Sequence, residues 1–377
     1  MADIGIRNVL WTAALIAALA LLVEPARGIL FRGGPDWVYA LAISFSITFL
    51  ATPAAMRLAV KVGAVDLPDA RKVHDTPTPR LGGLAVFAGV SAAVLTNSGL
   101  GYGMVAALVG GAMMVALGYF DDVRGLSSTF RLFVQLLAAG LVIASGKLLT
   151  LFPPSMPGLI ANVLVTLLWI IGITNAMNLF DGMDGLAAGL SCIVAFFMGV
   201  VAFQTGQPQL GWMSVVIIGA CLGFLPYNFK TSGRAEVFLG DSGSTFLGFV
   251  LACMAVKGNW SDNNPVISLS NPILIFWVLI YDMVHITVER FYTGKTHTVR
   301  EWLDYVGKDH LHHRMARVLK SQKKSVLFIY LLSASLGISA IALRSVDDVY
   351  VALLLLLQAV IIVLMITFLE VASRHRE

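Results

Sequence analysis

Residues 158–185 read GLIANVLVTLLWIIGITNAMNLFDGMDG. The part from 158 to 176 is almost wholly apolar, close to the ~20 residues that a helix needs to cross a bilayer. It ends in NAMNLFDGMDG, where Asn175, Asn178, Asp181 and Asp184 stand three residues apart. On a helix these four would follow one slowly turning side. Lipid would make such a stripe costly, so the stretch predicts a membrane helix whose polar end faces a cavity, another helix or water. The competing structural reading is a seam between helices joined by side-chain amides.

The rest of the chain repeats the pattern. Of its 377 residues 58% are hydrophobic and 13% charged, a balance that excludes a water-soluble domain and indicates an integral membrane protein. Twelve apolar runs stand out, at residues 8–23, 38–60, 82–97, 102–119, 130–146, 158–176, 185–203, 211–227, 243–257, 272–290, 325–343 and 348–370. The expected fold is therefore an all-α polytopic membrane protein, one integral membrane domain over residues 1–377 with about eleven to twelve transmembrane helices. Residues 1–30 form either an extra N-terminal helix or a cleaved signal segment. Residues 291–324 are the long polar insertion, a cytoplasmic loop. Cys192, Cys221 and Cys253 lie inside apolar runs without Cys-x-x-Cys spacing and read as small packing residues.

Alternating through twelve spans from a cytoplasmic N-terminus leaves only Arg27, Arg32, Lys147, Lys257 and Arg344 outside, and puts the rest of the 26 Lys and Arg on the cytoplasmic side. The same alternation places five polar clusters on that face: DARKVHDTPTPRLGG (69–83), FDDVRG (120–125), NAMNLFDGMDG (175–185), FLGDSGS (238–244) and KDHLHHRMAR (308–317). The net charge of +4 then reflects this bias and a preference for anionic headgroups and phosphates, not nucleic acid.

Each cluster has a bland and a chemical reading. Asp121 and Asp122 are adjacent, so on a helix they diverge by ~100° and can hold different partners; Arg124 can instead neutralise one of them. Asp241 or Ser242 suits a helix N-cap, or Asp241 suits a divalent ion, since magnesium takes few carboxylates and completes its shell with water and phosphate oxygens. Phe238 is interface packing or a platform for a base. His310, His312 and His313 beside Lys308 and Arg314 suit phosphate better than zinc, because no cysteine lies near. Arg71, Lys72, His74 and Arg80 add cations on a loop stiffened by prolines and glycines. Acids for a metal beside cations for phosphate fit phosphoryl transfer at a membrane surface.

In order along the chain, RKVH, PRLGG, FDDVRG, NAMNLFDGMDGLA, VFLGDSGS and HLHHR resemble the motifs of the polyprenyl-phosphate N-acetylhexosamine-1-phosphate transferases of glycosyltransferase family 4. The HLHHR and RKVH forms look like the N-acetylglucosamine branch. The resemblance runs from about Lys61 to the end. It implies transfer of a sugar 1-phosphate from a UDP-N-acetylhexosamine, N-acetylglucosamine first among them, to a polyprenyl phosphate with release of UMP. It also implies Mg2+, with Mn2+ as alternative ion, the bacterial inner membrane with the active site facing the cytoplasm, and a homodimer in many members. By the same match Asp121 and Asp122 are catalytic, Asp121 deprotonating or orienting the lipid phosphate. Asp241 with Asp122 holds the metal. Asn178, Asp181, Asp184, Asn228 and Phe238 line the nucleotide pocket, and Lys72 or Arg71, His310, His312, His313 and Arg314 bind diphosphate or sugar phosphate.

Two other classes compete. A transporter would want its acids near the bilayer midplane. An intramembrane aspartyl protease would use Asp241 and Asp282, but Phe238 stands where that motif needs glycine, and Asp282 is better explained by a helix contact or a cation partner.

Overall fold

A backbone in lipid must satisfy its own N–H and C=O groups, and a helix does so within one segment. A computed structural model of the protein describes residues 11–12, 15–16, 36–67, 77–96, 102–230, 233–260, 265–298, 301–302, 305, 307–344 and 348–374. Among these residues lie thirteen helices and one two-stranded antiparallel ladder. The first helix, α1 (Asp36–Val62), leads into the ladder, where β1 (Val65–Asp66) pairs Val65 with Pro79 and Asp66 with Thr78 of β2 (Thr78–Pro79). Then come α2 (Gly82–Thr96), α3 (Tyr102–Arg124), α4 (Ser128–Ala144), α5 (Met156–Phe180), α6 (Leu186–Gln204), α7 (Pro208–Asn228) and α8 (Gly240–Lys257). The remaining five are α9 (Pro265–Ile275), α10 (Trp277–Tyr292), α11 (Leu311–Leu319), α12 (Gln322–Arg344) and α13 (Val349–Arg374).

Eleven of the twelve apolar runs coincide with these helices, and the first, 8–23, falls almost entirely outside the described residues. Among the described residues seven helices are long and apolar enough to cross a membrane on length and composition, or eight if α9 and α10, bent by 78°, form one span. Three further apolar helices fall short of that measure for local reasons. Helices α2 and α4 have 15 and 17 residues, and α8 opens on the polar residues GDSGST, which dilute its hydropathy. The protein is a multi-pass membrane protein on either count.

Helix α8 is the axis of the bundle. Every residue from Ser242 to Val256 is buried, and the helix is flanked by α2, α3, α5 and α6. Small residues permit this: a Cβ on Gly83 would strike the backbone of Gly243, and one on Gly118 the backbone of Ser242. The N-terminus of α8 is thereby wedged between the start of α2 and the end of α3. Cys221 and Cys253 are buried, Cys192 is half-buried, and all three are free thiols packed as expected.

Candidate active site

The ends of α3, α5 and α8 meet at one end of the bundle because a loop is laced there by backbone bonds. Phe238 donates its N–H to the Pro79 carbonyl (2.8 Å), while Gly82 and Gly83 donate to the carbonyls of Phe238 (3.0 Å) and Leu239 (2.8 Å). The chain then turns into α8 at Gly240 with φ +74°, a region that costs a residue with a Cβ. The N-cap residue of α8, Leu239, makes no side-chain cap bond; Asp241 sits in the first turn, so the N-cap expected of Asp241 or Ser242 is not formed.

Four aspartates gather around this junction. Asp121, on the last turn of α3, accepts from Arg131 Nη1 of α4 (2.9 Å) and from the Leu126 N–H (2.7 Å). Its neighbour Asp122 points elsewhere, as adjacent helical residues must, and Oδ2 accepts from the Ser242 N–H (3.3 Å). Asp122 Oδ1 is buried and has no partner among the described residues. Asn178 holds Asp241 by an Nδ2–H to Oδ1 bond (2.8 Å) and also reaches Ser244 Oγ (3.0 Å). Asp181 completes the group: burial first, then the charges on Asp241 and Asp122, push its carboxyl up to about 8.

The stripe of four polar residues divides. Asn175 and Asn178 lie on α5, but the helix stops at Phe180 and Asp181 is its C-cap. Asn175 makes a reciprocal amide pair with Gln135 of α4 (2.8 and 3.2 Å), the polar seam that was the competing reading. Asp184 accepts from the Ala235 N–H (2.9 Å). Asn228 accepts from the Gly185 N–H (2.8 Å) and donates to the Val237 carbonyl (2.9 Å), so its amide braces two loops.

Beside the acids lies a cavity of about 440 Å3, lined among others by Arg131, Asn178, Gly182, His310, His312 and His313. The three histidines come from the start of α11. His310 Nδ1 lies 2.6 Å from Asp282 Oδ2. His312, 1% exposed, has no hydrogen-bond partner on either ring nitrogen among the described residues. It packs edge-on against Phe180 (5.2 Å between centroids), beside His313 (4.2 Å) and over Gly182, where a Cβ would strike Nε2. Burial first, then the flanking imidazoles and Arg314, hold the His312 imidazole well below its ordinary range, and burial with His310, Lys308 and Arg317 brings His313 to about 4. Both rings are therefore neutral at pH 7. An orphaned buried polar group costs ~1–3 kcal/mol, and such a cost is recovered when a ligand supplies the missing bond.

Residues 104–259 match the model of the family described as Glycosyl transferase family 4. The chain is also similar to "Probable undecaprenyl-phosphate N-acetylglucosaminyl 1-phosphate transferase" of Bacillus subtilis (strain 168), 39% identical over 318 residues that cover 82% of this chain and 85% of the relative. It belongs to glycosyl transferase family 4. Two further relatives widen the range. "Decaprenyl-phosphate N-acetylglucosaminephosphotransferase" of Mycobacterium tuberculosis (strain CDC 1551 / Oshkosh) is 37% identical, covering 76% of this chain and 77% of its own. "Undecaprenyl-phosphate alpha-N-acetylglucosaminyl 1-phosphate transferase" of Escherichia coli (strain K12) is 29% identical, covering 78% and 82%.

The match to the family model takes in Asp121, Asp122, Asn178, Asp181, Asp184, Asn228, Phe238 and Asp241 but stops before the histidine helix. Asn178, bonded to Asp241, and Arg131, bonded to Asp121, share the cavity wall with His310, His312 and His313, and the aspartates themselves stand behind that wall. Arg314 is turned away from the cavity: it is 3% exposed and donates to Glu370 Oε2 (3.0 Å), to Tyr281 Oη (3.3 Å) and to His285 Nε2. The reason is helical spacing, since Leu311, Arg314 and Met315 stand three and four residues apart and are all buried in this nine-residue helix. Half-buried Phe238 stands on the laced loop. Arg71 and Lys72 lie outside the described residues. Sequence reasoning missed Arg131, ten residues and one turn beyond Asp121, and the bond between Asp282 and His310, across 28 residues. Neither pairing has a local signature.

Proposed function

We propose that this protein transfers N-acetylglucosamine 1-phosphate from UDP-N-acetylglucosamine to a polyprenyl phosphate, undecaprenyl phosphate in the first instance, yielding polyprenyl-diphospho-N-acetylglucosamine and UMP. The reaction would initiate a cell-envelope polysaccharide. The observation that carries this reading is the junction itself: Asp122, Asp181 and Asp241 stand beside a cavity lined by three histidines, of which His312 has no hydrogen-bond partner among the described residues. The names of the relatives supply the donor sugar and the acceptor class.

The residues suit a magnesium ion. Among the described residues no three His, Cys, Asp or Glu form a closed cage, but magnesium needs only one or two carboxylates beside water and phosphate oxygens. The unpartnered Asp122 Oδ1 and the Asn178-oriented Asp241 are the two on offer. When bound there, the ion would neutralise the diphosphate and favour departure of UMP.

The chain's own part is to hold two anions in line. An oxygen of the lipid phosphate attacks the β-phosphorus, and the bond from that phosphorus to the bridging oxygen breaks. A phosphate monoester has a second pKa of ~6, so the acceptor is largely ionised without a base. Asp121 accordingly serves to orient: it fixes Arg131, which stands on the cavity wall within reach of an anion. The neutral His312 and His313 can donate N–H bonds to phosphate oxygens without first losing a proton to solvent. We place the site at the cytoplasmic face of the inner membrane, on the support of the Lys and Arg bias.

The test uses purified protein in detergent with polyprenyl phosphate, Mg2+ and a panel of UDP-sugars, reading UMP release. UMP from UDP-N-acetylglucosamine alone, abolished by chelation and by Asp241→Asn, is the expected result. Uptake of label into proteoliposomes with no UMP from any donor would overturn the reading in favour of a transporter.

A further inference from the structure

Asp282 is a carboxylate in an apolar stretch of α10, 1% exposed. A buried acid without partners is expensive, and the arginines near it are committed elsewhere. Arg290 makes a two-pronged pair with Asp309 (2.8 and 2.9 Å), and Arg314 pairs with Glu370. Asp282 spends its two oxygens on the start of α11: Oδ1 accepts the Leu311 N–H (2.6 Å), and Oδ2 lies 2.6 Å from His310 Nδ1. His310 is the N-cap residue of α11 but makes no side-chain cap bond. Asp282 therefore caps that helix from a neighbouring one.

The second bond decides a proton. A carboxylate only accepts, so Nδ1 must carry hydrogen, which leaves Nε2 as the nitrogen not engaged by Asp282 on a residue of the cavity wall. We propose that Asp282 is a positioning residue for the transfer reaction, holding His310 in the Nδ1–H tautomer so that Nε2 addresses the phosphates of the bound donor. This rests on the function proposed above. With Nδ1–H fixed, Nε2 can take a proton and bind a phosphate oxygen as part of an imidazolium whose charge Asp282 balances. The arrangement also separates His310 from its neighbours: His312 stacks on it at 5.7 Å but has no carboxylate partner of its own.

Asp282→Asn isolates the tautomer from the cap. The Leu311 N–H requires the amide oxygen on its side, which leaves the amide N–H2 facing Nδ1 and forces hydrogen onto Nε2. The expected result is a kcat lowered ~10²–10⁴-fold, a melting temperature within a few degrees of wild type, and a 15N side-chain spectrum in which His310 changes from Nδ1–H to Nε2–H. His310→Asn assigns that signal and keeps a donor for Asp282; in its background Asp282→Asn should change the rate less than about twofold. A wild-type His310 with hydrogen on Nε2 and none on Nδ1 would overturn the proposal. So would an Asp282→Asn enzyme of normal kcat whose tautomer had switched, or a further large loss in the His310→Asn background. Should Asp282→Asn not fold, the wild-type spectrum still decides. A wild type that releases no UMP defeats the functional reading alone, and the tautomer then decides the pairing by itself.

Discussion

His312 and His313 occupy adjacent positions and meet different surroundings. His312 is enclosed by Phe180, Gly182 and the flanking imidazoles, and His313 faces Lys308 and Arg317 as well as His310. Burial and these cations both disfavour the protonated ring, which is why His313 lies near 4. The sign for stability follows from the depressed value. Between pH 4 and the unfolded value of ~6.5, the unfolded chain binds more protons than the folded one, so stability rises with pH across that window and is lost on acidification. The melting temperature in detergent should fall as pH goes from 6.5 towards 4, and His313→Gln should flatten part of the slope. An unchanged slope in that variant would place the sensitivity elsewhere. That the histidines belong together was legible from HLHHR; that they would be neutral was not, because neutrality comes from the walls of the cavity and no sequence spacing encodes those.

At the scale of elements, α11 is the least self-sufficient part of the site. Nine residues are too few for a helix to persist alone, so its place depends on contacts from outside. Asp282 caps it, Ser325 Oγ of α12 donates to the His312 carbonyl (2.9 Å), and Arg314 ties it to Glu370 on α13 (3.0 Å). Glu370 and Arg314 are 5% and 3% exposed, which makes the pair asymmetric in its effects. Glu370→Ala leaves a buried guanidinium without its counter-charge, a loss of ~3–5 kcal/mol, and releases the histidine helix. The expected outcome is a lower melting midpoint and lower transfer activity together; combining Glu370→Leu with Arg314→Met should recover most of the stability, since removing both charges removes the uncompensated one. Apolar run length anticipated every helix but α11, because a lipid-soluble segment has few alternatives to a helix; α11 lies in the polar insertion, where no apolar run marks it. Run length could not anticipate the 78° bend after Ile275, since an apolar run contains no direction. Nor did it separate Asn175, which forms a seam with Gln135, from Asn178, which orients Asp241: both asparagines fit the same three-residue spacing, and the partner lies far away in sequence.

Across the whole molecule, α8 runs down the centre with its polar N-terminus at the acid cluster and Lys257 at its far end. The chain returns to the acid end after α3, α5 and α7, where it places FDDVRG, NAMNLFDGMDG and the laced loop before α8. The loop between α4 and α5, with Lys147, belongs to the opposite end. Donor and acceptor are both anionic, and a nucleotide sugar is a water-soluble substrate, so one end must open to the compartment that contains it while the apolar flank admits the lipid. The Lys and Arg bias predicts that this is the cytoplasmic end. Two exposed positions test it, Arg124 beside the acids and Thr150 in the α4–α5 loop. In a chain with Cys192→Ala, which removes the half-buried thiol and leaves the buried Cys221 and Cys253, a membrane-impermeant maleimide should modify Arg124→Cys in inside-out vesicles and spare it in right-side-out ones. Thr150→Cys should show the reverse. Labelling of Arg124→Cys from the outside would put the cavity on the wrong side for a nucleotide sugar made in the cytoplasm, and the orientation would have to be inverted.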